Sequence, residues 1–584
     1  VINLSEISLK LSENALYILQ QRYLLKDENR EVIETPEQMF RRVAKSIANV
    51  ESNYSKAIEE VQDLENKFYD MMVRLDFIPN SPTLMNAGTK LQQLSACFVL
   101  PIDDSIDSIF RTVMYTAKIH KSGGGTGFAF SRLRPKYDVV SSTGGIASGP
   151  MSFMNVFNST TEVIKQGGKR RGANMGVLRI DHPDILDFIV MKESEGSMHN
   201  FNISVGITDK FMKAVKKDEE FDLINPRTNK SVKTVKARAL WNLLVMMAWK
   251  NGEPGIIFLD SINKKNPTLE VGEIESTNPC GEVPLLPWES CNLGSINLSN
   301  FSKGNRIDWV RLKEIIRLAI RFLDNVIDAN NFPLKEIEKA TKANRKIGLG
   351  VMGFADLLLT LGIKYDTDKA RQLAKKIMKY INDQARQMSK ELAQEKGNFP
   401  NITRSIYKKE AYMRNATVTC IAPTGTISLI ADCSSGIEPI FSVVTTRNVQ
   451  ESMGKELIEI NPAVKKSLSL KGLWTPELEI ALKQSACIEC TTIPKEMKDA
   501  FVTAIDISPE DHVLMQAAFQ AYTDNAVSKT VNCPNGTNFY EIEKIFLLAY
   551  GKGCKGITVY RDGSRKHQLL TKYTPQTLGC QTCD

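Results

Sequence analysis

The stretch NPCGEVPLLPWESCNLGSINL, residues 278–298, constrains this chain more than any other. It sets an amide, a thiol and a carboxylate at alternate positions, Asn278, Cys280 and Glu282, with a second thiol at Cys291. In an extended segment alternate side chains share a face, so the spacing predicts that the three groups lie on one side. Pro279 lacks an N–H and Gly281 frees the backbone, which suits a tight loop better than a helix or a paired central strand. The expectation is a reactive cluster at a loop tip. Alone, the same residues would make an ordinary turn with a buried cysteine, so the rest of the chain decides.

At 584 residues the chain exceeds one ordinary core and favours roughly two to four domains, or one large enzyme barrel with appendages. A hydrophobic fraction of 42% and a charged fraction of 24% are those of a globular protein. The net charge of +8 is spread along the chain and the densest basic runs are short, such as GGKRRG at 167–172. That points to small anionic ligands rather than a nucleic-acid surface. The apolar stretches 239–249 and 347–363 are too short or too interrupted to span a membrane, and no signal peptide precedes them. Eleven cysteines without an export signal read as thiols in a reducing, cytoplasmic compartment, where a disulfide would be catalytic.

Residues 1–76 read as helical, with Ile58, Val61, Leu64, Phe68, Met71 and Leu75 at three-to-four spacing. DFIPNSPTLMNAG (76–88) breaks that period and opens a second region. SACFVLP reads as a short strand carrying Cys97, and 101–127 as a helix closed by a glycine-rich loop, GGGTG. Two further glycine-rich loops, SSTGGIASGP and KQGGKRRGANMG, lie between 131 and 180 and bring backbone N–H groups and basic side chains to a phosphate. Long helices are predicted at 306–329 and 367–396, the second stopped by Gly397. Shorter apolar runs, ATVTCIAP and GTISLI, complete an α/β alternation. PTGTIS (423–428) has the hydroxyls and the glycine to clasp a diphosphate. No His or carboxylate cluster has metal-ligand spacing, so no protein metal site is expected.

Six collinear motifs carry a resemblance. SACFVLP (95–101), NPCGE, ESCNLGSINL, APTGTISLIADCSSGIEPIFS (422–442), DNAVSKTVN (524–532) and GCKGITVYRDGSR (553–565) resemble the large subunit of ribonucleotide reductases. The last of them is similar to the adenosylcobalamin-dependent class, and the likeness runs from about residue 12 to 565. It implies a ten-stranded α/β barrel over 77–565 with NPCGE on a central finger loop, a helical region before it (1–76) and a flexible tail after it (566–584). The implied activity is thiyl-radical reduction of ribonucleotides, with diphosphates the expected substrate, to the 2′-deoxyribonucleotides used in DNA replication. Cys280 would carry the radical, Glu282 would act as base, Asn278 would hold the ribose, and Cys97 with Cys291 would supply the electrons and close a disulfide. Ser81 with Pro423, Thr424, Gly425, Thr426 and Ser428 would bind substrate. Within 101–180, Asp104, Ser105 and Arg134 would hold a dNTP effector, while Lys165, Gln166 and Arg170 would lie on a relay loop to the substrate.

The same resemblance implies adenosylcobalamin as cofactor, Mg²⁺ with the nucleotides, dNTP effectors and a homodimer. Cys580 and Cys583 would shuttle electrons from a thioredoxin- or glutaredoxin-type reductant; the competing reading is a zinc site shared with Cys487 and Cys490, which lie in an expected surface excursion at 466–500. The subunit-dependent class carries a tyrosine pair where this chain reads TVYRDGSR, with Tyr560 alone, so a large chain needing a separate radical-generating subunit is the alternative. A nucleotide-sensing module without activity would have no use for three thiols with Asn278 and Glu282. GLGVMG (348–353) matches a dinucleotide fingerprint, but the charged, helical segment before it denies the strand–turn–helix context. Close packing of a helix against the barrel is the use expected for its glycines.

Overall fold

The computed structural model describes residues 9–564, apart from 141–143, 167–169, 195, 449–455, 486–487, 489–490, 492 and 499, together with 571–572. The chain opens with helices α1 (Glu13–Arg22), α2 (Pro36–Ala48) and α3 (Ile58–Val73). Ser12 caps α1, and a Thr35/Gln38 capping box with Pro36 at the first turn starts α2. Met39, Phe40, Val43, Ala44 and Ile47 then bury one face. Of the stripe predicted on α3, Phe68 and Met71 are buried, Ile58 is 85% exposed, and Leu75 falls beyond the helix at φ +56°. These helices share one apolar core with the body that follows.

That body is built on ten strands in one sheet: β1 (Phe77–Pro79), β2 (Cys97–Leu100), β3 (Gly125–Ala129), β4 (Asn174–Arg179), β5 (Phe201–Ile207), β6 (Gly255–Phe258), β7 (Ser290–Asn297), β8 (Ile347–Met352), β9 (Thr530–Cys533) and β10 (Gly556–Arg561). β2 to β6 pair in parallel in sequence order, and so do β7 with β8 and β9 with β10. The two sets meet antiparallel, β2 against β7 and β6 against β10. Parallel bridges from Leu349 to Thr419 and from Ile421 to Val527 close the ring, so ATVTCIAP is the segment that completes the barrel. The bonds are Cys420 N–H to Leu349 O (3.1 Å), Ile421 N–H to Ala526 O (3.1 Å) and Ser528 N–H to Ile421 O (2.9 Å). β1 adds to the outer part of β7, opposite Gly294 to Ile296. On β5, Ile203, Val205 and Ile207 pack outward with Trp241 and Phe546 of the helical layer, so alternate residues such as Asn202 and Ser204 face the lumen.

A hairpin, Ser276–Thr277 against Pro284–Leu285, lies against the inner face of β3. A Cβ on Gly127 would come 1.8 Å from the Thr277 carbonyl oxygen, so the stem sits where only a glycine leaves room. This corrects the GGGTG expectation: Gly125 to Ala129 form a strand, most of it buried, whose glycines make way for the finger. GLGVMG is corrected likewise, because Ile347–Met352 is itself β8. A Cβ on Gly348 would meet Cys420 Sγ at 2.6 Å and one on Gly350 the Cys420 carbonyl oxygen at 2.4 Å. Those glycines serve contact between strand and strand, not between helix and barrel. GTISLI holds a helical turn, Ile427–Ile430.

The long helices form as the periodicity predicts, α6 at Trp309–Ala329 and α7 at Asp368–Lys396, the latter ending at Gly397 with φ +85°. Residues 306–307 pair instead with 302–303 as a small hairpin ahead of α6. Between these helices and the N-terminal region lies a buried ionic cluster. Asp324 bonds Arg345 at 2.9 Å and Arg414 at 3.2 Å, and Glu51 bonds Lys396 at 2.8 Å and Arg321 at 3.1 Å. The segment around 466–500 contributes helices Pro462–Leu470 and Pro476–Ser485, and its Val464, Leu468 and Leu482 form an apolar cluster with Ala355 and Leu359. Of the tail, Thr571–Lys572 pair with Thr445–Thr446. No described helix is long and apolar enough to cross a membrane.

Candidate active site

The hairpin reverses at its tip: Gly281 N–H bonds the Asn278 carbonyl at 3.0 Å and Gly281 takes φ +82°. This corrects the prediction that Asn278, Cys280 and Glu282 share a face through strand alternation. A turn brings them together instead, with Asn278 and Glu282 on opposite arms, both buried, and Cys280 exposed at the tip. The Asn278 amide is engaged at both ends: its Nδ2 donates to Cys97 Sγ at 3.2 Å, and its Oδ1 accepts Val283 N–H at 3.0 Å and Thr277 Oγ1 at 3.2 Å. Ala526 N–H bonds the Glu282 carbonyl at 2.8 Å and ties the finger to the stretch before β9 that pairs with the closing segment.

Cys97 and Cys291 are reduced, buried and directly opposite on the antiparallel strands β2 and β7. Opposite Cα atoms in such a ladder lie about 4.5–5.5 Å apart, within the span of a disulfide. The Cys97 thiol donates toward Glu282 Oε1 at 4.0 Å, and Glu282 Oε2 is buried without a hydrogen-bond partner. Burial raises the Glu282 carboxyl to about 7, with the Asn278 hydrogen bond holding it back. A base poised there can take or return a proton at neutral pH. Burial, reinforced by Glu282, pushes the Cys97 thiol well up. Burial does the same at Cys291, where the nearby Lys346 ammonium acts the other way. The pair is therefore stored as thiols.

Thr424 is buried at φ +55°, and its hydroxyl accepts Gly436 N–H at 2.7 Å. Ser428 lies in the Ile427–Ile430 turn that follows Pro423, Gly425 and Thr426, and its hydroxyl lies 2.9 Å from that of Ser435. Ser81 opens the helix Ser81–Asn86 and bonds Tyr23 OH at 2.7 Å, while α1, just before Tyr23, packs on Ile427–Ile430. The two predicted substrate segments thus share one neighbour. Farther out, helix α4 (Ile106–Lys121) is capped by Ser105, whose hydroxyl accepts Ser108 N–H at 3.2 Å. Arg134 donates to Asp104 from its backbone N–H at 3.1 Å and from Nε at 2.8 Å. Lys165–Gln166 and Arg170–Arg171 form a two-residue ladder that follows helix α5 (Pro150–Val163). Cys487, Cys490, Cys580 and Cys583 lie outside the described residues.

Sequence reading missed the lumen beside Cys280. Asn202 and Thr558 are exposed although each lies on a barrel strand, and Asn202 Nδ2 donates to the Pro279 carbonyl at 2.9 Å. The signal was available as polar residues at alternate positions in FNISVGI and GITVYR. Also missed was the buried Lys346–Glu289 pair (2.7 Å) at the foot of β7, which no local motif announces.

Two family models match the chain: the ribonucleotide reductase all-alpha domain over residues 9–92 and the ribonucleotide reductase barrel domain over 95–413 and 408–560. Among curated relatives, the vitamin B12-dependent ribonucleoside-diphosphate reductase of Thermoplasma acidophilum is 50% identical over 97% of this chain and 81% of that protein. The protein of the same name from Mycobacterium tuberculosis (strain CDC 1551 / Oshkosh) is 46% identical over 98% of this chain and 82% of its own length. The ribonucleoside-diphosphate reductase large subunit of vaccinia virus is 30% identical over 92% of this chain and 75% of that one. The solved class Id ribonucleotide reductase alpha subunit of Actinobacillus ureae superposes with a TM-score of 0.76 at 25% identity, covering 95% of this chain and 97% of that one.

Proposed function

The chain belongs to the ribonucleotide reductase family, and from that premise we propose that it reduces ribonucleoside diphosphates to 2′-deoxyribonucleoside diphosphates with adenosylcobalamin as its radical source. The observation that carries the choice of class is the likeness itself: relatives named vitamin B12-dependent ribonucleoside-diphosphate reductase match at 46–50% identity, against 30% for one named as a large subunit. The site is compatible. Cys280 is exposed where Cys97 and Cys291 are buried, and a Cβ on Gly281 would meet nothing within 4 Å. That exposed side of the tip would face the cofactor, and Asn202, Thr558 and Tyr560, on the lumen side of β5 and β10, would hold it. Adenosylcobalamin, when bound, supplies by cobalt–carbon homolysis the one-electron oxidation of the Cys280 thiol.

The chain's own residues do the rest. The oxidised Cys280 sulfur removes the hydrogen from C3′ and returns it at the end. Glu282 takes the 3′-hydroxyl proton, and the 2′-hydroxyl departs as water with a proton from the thiol pair. Cys97 and Cys291 give up two electrons and two protons in all and close a disulfide. One ribonucleotide and two thiols become one deoxyribonucleotide, one water and one disulfide. Asn278 exchanges its bond to Cys97 for the ribose. Ser81 and the 423–428 turn, through Pro423, Thr424, Gly425, Thr426 and Ser428, take the diphosphate with Mg²⁺. Asp104, Ser105 and Arg134 take a dNTP, and the Lys165–Arg171 hairpin, with Gln166 and Arg170, relays its identity.

A homodimer through α4 is supported by Ile106, Phe110 and Met114, one apolar stripe at 61%, 49% and 46% exposure. A thiol pair that must be re-reduced after each turnover suits the cytoplasm and a thioredoxin- or glutaredoxin-type reductant acting through Cys580 and Cys583. The deciding experiment is reduction of NDPs and NTPs with and without adenosylcobalamin, together with the absorbance of bound corrinoid. Corrinoid-independent turnover with a second, metal-containing subunit would overturn the class; NTP-only turnover would overturn the substrate.

A further inference from the structure

A chain of buried polar side chains runs from the end of α4 to the base of the relay hairpin, and none of its members has a part in the chemistry above. His120, Thr126 and Asn174 are 0% exposed and Thr161 is 3%. His120 Nε2 lies 2.9 Å from Thr126 Oγ1, which donates to Asn174 Oδ1 at 2.8 Å. Asn174 Nδ2 in turn donates to Thr161 Oγ1 at 2.9 Å and to the Asn200 carbonyl at 3.2 Å. The Thr126 hydroxyl has one proton and gives it to Asn174, so the His120 ring must carry its proton on Nε2. Breaking any link strands a buried donor or acceptor, so the members hold one another in a single arrangement.

Position gives the chain its meaning. Thr161 is in the last turn of α5 and Asn174 is the first residue of β4, so their mutual bond closes the base of the 164–173 segment. The returning arm lies flush on the chain: a Cβ on Gly172 would come 2.6 Å from His120 Nδ1 and 2.7 Å from Thr161 Cγ2. At one end, His120 lies in the last turn of the helix that Ser105 caps. Next along the chain, Thr126 faces outward from β3, between glycines that face the finger. A Cβ on Gly125 would meet the Pro279 ring at 3.0 Å, and one on Gly127 the Thr277 carbonyl at 1.8 Å. The strand is therefore held between the polar chain outside and the catalytic loop inside.

We propose that His120, Thr126, Asn174 and Thr161 form a clamp that fixes the base of the relay hairpin against α4 and β3, and so determine which nucleobase a bound dNTP makes the site accept. The four are positioning residues, and the proposal rests on the reading that the hairpin carries effector identity. The test compares wild type, Thr126→Val and Thr126→Ser, measuring dNTP affinity by equilibrium binding and the ratio of pyrimidine to purine diphosphate reduction with each dNTP. Coupled sites ordinarily show about 5- to 150-fold effects. In Thr126→Val the dNTP-driven change in that ratio should shrink to less than about twofold while dNTP still binds, and Thr126→Ser, which keeps the hydroxyl, should restore it. If Thr126→Val does not fold, Thr161→Val decides by the same criterion. Undiminished coupling in the valine variant overturns the clamp alone, whereas a wild type whose base preference ignores every dNTP overturns the dNTP reading together with it.

Discussion

Cys97 faces Cys291 across an antiparallel seam of the barrel, one residue directly opposite the other. The register places two thiols that are far apart in sequence within the usual span of a disulfide, and the Asn278 amide sits on one of them. After a single turnover without external reductant, peptide mapping should recover a Cys97–Cys291 disulfide at about one per active site. The double variant Cys580→Ser/Cys583→Ser should stop there with thioredoxin, yet continue with a small dithiol that enters the barrel. Full thioredoxin-driven turnover in that variant would rule out the shuttle, and stoichiometric zinc lost from it would establish the competing metal site.

Cys280→Ser should bind nucleotide as wild type does and show no turnover, because a hydroxyl holds its hydrogen too strongly to act as radical carrier. Equilibrium binding and product assays read the two halves separately. Any substantial deoxyribonucleotide formation would remove Cys280 from the mechanism.

Glu282→Gln should slow turnover by about 10² to 10⁴. It also has a signature in stability. A carboxyl raised by burial from 4.5 to about 7 holds its proton in the folded state over a range where the unfolded chain has lost it, so stability falls as pH rises from about 4.5 to about 7. The full penalty is about 3 kcal/mol. Denaturation midpoints measured across that window should slope less for Glu282→Gln than for wild type, and equal slopes would refute the assignment of that proton to Glu282.

Gly127→Ala should cost on the order of 10² in turnover with a smaller loss of stability. The new methyl collides with a backbone oxygen of the finger stem rather than with a side chain that can swing away, so the stem must move. Normal kinetics would show that the finger reaches its working position independently of β3.

Asp324→Asn should destabilise by about 3–5 kcal/mol, the usual result of stripping the partner from buried charge. Burial alone would raise this carboxyl, but Arg345 and Arg414 hold it well below the ordinary range, so the charge on the acid is integral to the cluster. Urea midpoints at neutral pH measure the loss. A shift below about 1 kcal/mol would mean that the guanidinium groups find other acceptors, Asp328 foremost.

What the sequence disclosed follows how local its signals are. The helices of the N-terminal region and α6 and α7 declare themselves through 3.6-residue periodicity, caps and Gly397, all short-range features. The residues of the candidate site were legible because thiol, amide and carboxylate are rare in that order. Strand β3 was hidden because its glycines, chosen by the finger that lies on it, carry none of the branched side chains that mark a strand. β8 was hidden for the same reason, since the glycines of GLGVMG point to helix packing rather than to a strand. The closure at 419–421 rests on bridges too short for any periodicity to appear. The polar chain from His120 to Thr161 joins four elements, and only the fold brings its members together.

In a barrel whose strands all run one way, every loop that follows a strand opens at the same mouth, and chemistry collects there. Here the two antiparallel seams turn half of the strands over. Each mouth therefore collects the outgoing loops of one half and the incoming loops of the other. The finger stem follows β6 and the 423–428 turn follows the closing segment, so the two start from opposite mouths. A nucleotide bound by both, as proposed, would be gripped from two ends at once, like a workpiece between the centres of a lathe.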